Sequence, residues 1–447
     1  MGDTVKKEIL NRWVVDPFNR IIKNGKTSGI LLFGSALVAI IIANSPLRDW
    51  YHSLWKIHFS IGFGDFEIDK TLHHWINDGL MAMFFFVVGL ELKRELIAGE
   101  LKNPKNAILP ISAAIGGMLI PAAIFVAINQ GTEAIDGWGI PMATDIAFAL
   151  GILYLLGDRV PSSLKIFLTA IAIVDDIGAV LVIAFFYTST INFDSLLWGG
   201  LVLVVMIIAN FSGVKNSLFY AILGIGGLWL AFLLSGVHAT IAAVLAAFCI
   251  PASSKINETA FITKSNTLFN AFSDAEGNDY KLVTNEQYKL LSKLRKLSKS
   301  TIPPLQRLEH SLHPVVGFIV MPLFAFSNAG ITLIDGDTSS MFSNLTLGII
   351  LGLILGKLIG VTGITWILLK LKVVQLPEGM NKTQVIGVGF LSAIGFTMSL
   401  FIASLAFPDG LLLGQAKLGI LIASLLSSFA GYFIISKSLK PKPKPIT

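Results

Sequence analysis

The sequence predicts an all-α polytopic membrane protein of about twelve transmembrane helices, two of them broken and placed within inverted-topology repeats, with a small β-hairpin on the outer side. Three observations carry this. The 447 residues are 54% hydrophobic and only 14% charged, with a mean hydropathy of +0.73, where a water-soluble chain carries about a quarter charged residues. Apolar runs of roughly 20 residues, each long enough for a hydrocarbon core about 30 Å thick, recur along the chain. Two of these runs are interrupted by Gly, Pro and Thr.

The runs fall at 28–44, 75–92, 107–128, 138–157, 163–188, 195–213, 216–235, 237–251, 314–334, 345–370, 383–406 and 413–436, the eighth being short. They form a single transmembrane domain over 28–436, between a charged N-terminal segment, 1–27, and a basic tail, 437–447. No cleavable signal peptide is expected, because residues 1–26 hold no apolar stretch before a small-residue cleavage site. With the N-terminus inside, every Lys and Arg lies on the inner side except Arg48, Lys56, Lys70, Lys417 and the mid-span Lys357. The positive-inside rule then supports an even number of spans and two cytoplasmic termini. The tail "KSLKPKPKPIT" reads as an anchor beside the bilayer, and no nucleic-acid partner is expected. Cys249 stands alone, which excludes an internal disulfide.

Two connections stand apart. In the outer loop, "HFSIGFGDFEIDK" alternates apolar and polar residues around Gly-Phe-Gly-Asp, and predicts a hairpin over about 57–70. Residues 253–305 form a polar cytoplasmic insert with an amphipathic helix over 284–299, otherwise expected to be a partly ordered loop.

The fourth span opens "GWGIPMATDIAFALG" and the eleventh contains "SAIGFTMS". Irregular backbone in mid-membrane is tolerated only where protein or a cavity surrounds it. Spans 3–5 and 10–12 place the two interruptions at matching points of the two halves, running in opposite directions. Paired interruptions of this kind point to an ion site near the midplane.

Charge inside the hydrocarbon sharpens the point. In "IVDDIGAVLV", Asp175 and Asp176 sit side by side in an apolar run; Asp145 follows the fourth span's interruption, and Lys357 lies within the tenth span. At 1.5 Å per residue, Asp145 is about 18 Å, and Asp176 and Lys357 about 20 Å, from the inner ends of their spans, so all share one depth. Successive helical residues point about 100° apart, so Asp175 and Asp176 face different neighbours. Four such groups cost about 10–14 kcal/mol before any pairing. Lys357 neutralises one acid, and the remaining acids must take up a proton or bind a cation. Carboxylates with the Thr144 hydroxyl and freed carbonyls suit a small hard cation such as Na⁺ or Li⁺, and no Cys/His cluster suits a transition metal. The positive ends of the broken helices would attract Asp145, and Lys357 would offset their negative ends.

"ATDIAFALG", "AIVDDIGAVLVIA", "GLELKREL", "SGVHATIAAV", "LEHSLHP", "PLFAFSNAG", "LGKLIG" and "AIGFTMSLFIASLAF", in this order, closely resemble the NhaA-type bacterial sodium/proton antiporters, over about 28–436 without the insert. For that family inverted repeats are an established feature. The resemblance implies that Asp176 is the principal cation and proton carboxylate, with Asp175 as its partner at the Na⁺ or Li⁺ site and paired with Lys357 in one state. Asp145 would stabilise the helix crossing, at which Gly395 and Thr397 form the second break, and Thr144 would assist the ion. It implies electrogenic exchange of cytoplasmic Na⁺ or Li⁺ for external H⁺, about two protons per ion, by alternating access. It also implies shut-down at acid pH, a place in the bacterial inner membrane, a homodimer formed partly through the hairpin, no cofactor and no enzymatic activity. Glu91, Glu95, Glu309, His310, His313 and His238 fall at positions linked to the pH response. The insert is longer than the connection such proteins are expected to have there. An alternative on the same architecture is a sodium-coupled symporter whose Lys357 holds an organic anion.

Overall fold

The structure is a computed structural model that describes residues 25–64, 66–188, 191–275, 282–332, 342–408 and 410–439. The expected N-terminal segment up to residue 24 and the basic tail from residue 440 lie outside the described residues.

The first half begins with α1 (Gly25–Ala43), which turns by 114° into the short α2 (Arg48–Lys56). Tyr51 and Trp55 of α2 are buried edge-on against Phe326, each with ring centres 5.6 Å apart. β1 (His58–Phe63) and β2 (Phe66–Thr71) then pair antiparallel from His58–Thr71 to Phe63–Phe66. Gly64 takes the left-handed φ of +61° that the tight connection demands and a side chain would resist.

A π-turn over Trp75–Leu80 leads into α3 (Met81–Ala98), and α4 (Pro104–Asn129) starts with Asn103 as cap and Pro104 in its first turn. A 3₁₀ segment, Glu133–Met142, is followed after a break by α5 (Ile146–Leu155), bent from it by 44°. Next come α6 (Ser162–Phe186), α7 (Phe193–Phe211), α8 (Ser217–Ser235) and α9 (Ala239–Cys249). The insert folds as two helices, α10 (Glu258–Asp274) and α11 (Asn285–Thr301). After it stand α12 (Pro304–Asn328), α13 (Asn344–Lys370), the broken pair α14 (Lys382–Ser392) and α15 (Phe396–Ala406), and α16 (Leu411–Ser438).

Among the described residues, eight helices are long and apolar enough to cross a membrane, and ten if each bent pair counts as one. Helices stand at all twelve predicted positions. The two that fail the length and charge test are α9, with 11 residues, and α3, whose C-terminal half carries Glu91, Lys93, Arg94 and Glu95.

Burial separates centre from rim. The Lys382–Ala406 stretch is 89% buried and α7 only 17%, so the broken helix runs through the middle while α7 turns residues such as Phe211 outward. Outward apolar surface is stable where lipid is the solvent. Small residues bring the central helices together: a Cβ on Gly116 of α4 would lie 2.7 Å from the Gly360 carbonyl oxygen of α13. This close approach brings α13, and Lys357 with it, against α4.

Candidate functional site

The two breaks interlock. Asp145 caps α5, its Oδ1 accepting from Phe148 N at 2.9 Å, and its own N–H donates 2.7 Å to the Ile394 carbonyl in the other break. Asp145 Oδ2 accepts from Thr397 N at 3.1 Å and from the Thr397 hydroxyl, in the first turn of α15. One carboxylate thus sits at two helix N-termini, where orphan N–H groups and helix dipoles both favour negative charge. The opposite ends are also cross-satisfied. The Ser399 hydroxyl donates to Ile140 O at 2.8 Å, and the Thr144 hydroxyl lies 2.7 Å from Ser392 O at the end of α14. Gly395 stands immediately before α15 with φ −86°, where a Cβ would crowd Ser399 and Leu353.

Beside this crossing lies an ion pair with both side chains fully buried. Lys357 Nζ donates to Asp175 Oδ2 at 2.6 Å and to Thr144 Oγ1 at 2.9 Å. Thr144 has one hydroxyl proton and two acceptors in reach, Asp175 Oδ2 at 2.6 Å and Ser392 O at 2.7 Å. Asp176 points elsewhere, as helix geometry requires. It is 1% exposed, and both Asp175 Oδ1 and Asp176 Oδ1 are buried without a hydrogen-bond partner. Asp145 is therefore held by N–H groups and the Thr397 hydroxyl and Asp175 by Lys357, while Asp176 has no cation within salt-bridge distance among the described residues. The two orphaned carboxylate oxygens are hard donors, of the kind that suits a small hard cation. Among the described residues no three His, Cys, Asp or Glu side chains gather into a metal cage.

A second charged cluster joins α3 to α12. Arg94 bridges Glu95 and Glu309, each at 3.0 Å, and His313 lies 4.0 Å from Glu91. His310 is exposed nearby in sequence. His238 stands apart, its ring nitrogen 2.8 Å from the Tyr187 carbonyl at the end of α6, so it does not join these acids.

Sequence reading missed several partners. Ser392 and Ile394 act at the crossing through backbone carbonyls that no side-chain pattern reveals. Arg94 was visible in "GLELKREL", but its ion pair with Glu309 joins residues far apart in the chain, close to half its length. Lys93 donates to Phe248 O at 2.6 Å and Ile250 O at 2.5 Å, closing the C-terminal end of α9.

An apolar helical bundle with a buried ion pair and an unpaired acid beside two interlocked helix breaks has the features of a membrane ion transporter. The chain belongs to the Na⁺/H⁺ antiporter 1 family, whose profile matches residues 19–435. It is 49% identical over 425 residues to the Na⁺/H⁺ antiporter NhaA of Oleidesulfovibrio alaskensis, covering 95% of this chain and 94% of that one. It is 45% identical over 455 residues to the Na⁺/H⁺ antiporter NhaA 1 of Saccharophagus degradans, covering 98% and 97%. With the Na⁺/H⁺ antiporter NhaA of Acidithiobacillus ferrooxidans the identity is 44% over 421 residues, covering 94% and 96%. The solved structure of a sodium proton antiporter from Methanocaldococcus jannaschii overlaps it only loosely, with a TM-score of 0.45 and 14% identity over 92% of this chain and 91% of that one.

Proposed function

We propose that the chain exchanges cytoplasmic Na⁺, or Li⁺, for external H⁺ across a bacterial inner membrane, with Asp176 as the carboxylate that carries either cargo. The observation that carries this reading is the orphaned Asp176 Oδ1, buried with no cation in salt-bridge contact. An isolated carboxylate at such a place must be neutralised, and a proton or a small alkali cation such as Na⁺ or Li⁺ can do so. Because they satisfy the same need, binding one expels the other.

Asp175 Oδ1 is the second ligand, and Thr144 serves as a relay. While Lys357 holds Asp175, the Thr144 proton can turn to Ser392 O; when Lys357 withdraws, it can turn to Asp175. A second proton is then taken up at the Asp175–Lys357 pair, giving about two protons per ion and net charge movement. Asp145 stays in place as the fixed brace of the crossing.

In this reading twelve helices cross the bilayer, α3 and α9 among them, as two inverted repeats with both termini cytoplasmic. The charge distribution supports it, as do the two breaks that answer each other bond for bond. Glu91, Glu95, Glu309, His310 and His313 set the pH response at the cytoplasmic end, His238 acts from the other end of α9, and the β1–β2 hairpin joins two copies as a dimer. The symporter alternative is disfavoured because the Lys357 ammonium is committed to Asp175 and Thr144.

The test is made in proteoliposomes with an acid interior and a pH-sensitive dye. Adding Na⁺ or Li⁺ outside should drain lumenal protons, and K⁺ should not. A folded, correctly inserted protein that gives no response at any pH would overturn the reading.

A further inference from the structure

We propose that the α10–α11 hairpin is a lipid-surface anchor that lays a basic, aromatic-edged face on anionic head groups of the bilayer the chain already spans. Each helix is built to stand by itself. Asn257 caps α10 through Ala260 N at 2.9 Å, and Thr284 and Gln287 form a reciprocal capping box on α11. The two pack chiefly on each other, around Ser265 and Leu297. The base is tied down: Lys255 N donates to Ser300 O at 3.0 Å, Leu305 N to Pro251 O at 3.2 Å, and Lys215 Nζ to Ser254 O at 2.5 Å. The hairpin is therefore held at the mouths of α9 and α12, within reach of the membrane surface.

Its outer surface does not suit water. Ile262 and Phe269, two turns apart on α10, are 52% and 57% exposed, and Tyr288 and Leu291 on α11 are 64% and 42% exposed. Tyr288, Leu291, Arg295 and Lys299 follow one another at helical spacing, so apolar and cationic groups share one stripe. Lys289, Lys293 and Lys296 continue around the exposed side, and Glu286 is the one acid in α11. A tethered amphipathic helix with a tyrosine, leucines and five basic residues matches an anionic lipid interface in both charge and apolarity. Placement on the inner leaflet rests on the topology proposed above; attraction to anionic lipid does not.

The test uses the full chain in nanodiscs sized for a single copy, made of phosphatidylcholine alone or with phosphatidylglycerol. Backbone hydrogen exchange over 285–301 should slow by about tenfold or more with phosphatidylglycerol, each basic residue contributing about fivefold to surface affinity. High salt, and the variant K293E/R295E/K296E/K299E, should restore the phosphatidylcholine rate. The corresponding Gln variant, which keeps good helix formers, should do the same if the Glu variant fails to fold. Equal rates in the two lipids, or slowing that survives charge removal, would overturn the proposal. Sodium-driven proton movement in phosphatidylcholine liposomes should remain that of the unmodified chain in both variants, so the two proposals fail separately.

Discussion

Asp145 and Thr397 lie 252 residues apart in sequence, yet the Asp145 carboxylate accepts both the N–H and the hydroxyl of Thr397 while capping its own helix through Phe148. All of the donors converge on one acceptor-only group, which fixes the angle at which the two breaks cross.

Asp145→Asn should therefore lower thermal stability. An amide can offer one oxygen but must turn its NH₂ toward a row of N–H donors, leaving buried groups unpaired at about 1–3 kcal/mol. Unfolding in detergent, followed by tryptophan fluorescence, should shift to lower temperature; an unchanged midpoint would refute the bracing role.

Asp176→Asn should behave in the opposite way. It removes a buried charge with no ionic partner and keeps the shape, so the midpoint should hold or rise. Dye dequenching on adding sodium should nevertheless fall to the level of empty liposomes.

Lys357 and Asp175 can be separated by a double-mutant cycle. Lys357→Met alone strands a buried carboxylate and should cost about 3–5 kcal/mol. Adding Asp175→Leu should recover most of that stability while exchange stays absent, and full additivity would mean that the two do not interact.

Packing behind Lys357 gives a sharper contrast. A Cβ on Gly356 would come 2.6 Å from Pro121 Cα, so Gly356→Ala must displace backbone and should cost about 1–3 kcal/mol. Gly363, in the same helix, meets nothing within 4 Å, and Gly363→Ala should be neutral or stabilising by up to about 1 kcal/mol.

Competition at Asp176, as proposed above, has a definite sign in pH. If protons take the sodium position as pH falls, the apparent KM for sodium should rise toward acid, by about tenfold per pH unit for each proton displaced. Initial rates at several sodium concentrations across the pH range would read this directly. A KM flat in pH, with only the maximal rate changing, would mean that the two cations do not share a site.

Much of this was legible in the chain because the telling residues break local rules. Asp175, Asp176 and Lys357 stand where lipid-facing helices exclude charge, and "GIPMATD" and "AIGFT" interrupt runs that should be continuous. The hairpin was legible by alternation, and lies one residue from its predicted limits, at 58–71. What stayed hidden was pairing at a distance: Thr397 with Asp145, Arg94 with Glu309, and backbone carbonyls such as Ser392 O, which carry no signature at all. In the insert, the amphipathic pattern shows α11, whereas α10 carries little local signal: its Thr-, Ser- and Asn-rich sequence has weak helix propensity, and its partner helix stabilises it.

The reciprocal hydrogen bonds between the breaks also limit how the protein can move. Parting the 3₁₀ segment and α5 from α14 and α15 would strand Ile140 O, Ser392 O, Ile394 O and the Asp145 carboxylate together in a dry interior, at about 1–3 kcal/mol for each group. The four half-helices are thus welded into one cassette, to which Asp175 is tied through Thr144. A gate that opened between the half-helices would destroy the binding geometry it was meant to serve. On the proposed exchange reading, exposure to one side of the bilayer and then the other would come from sliding or tilting the whole cassette against the surrounding helices.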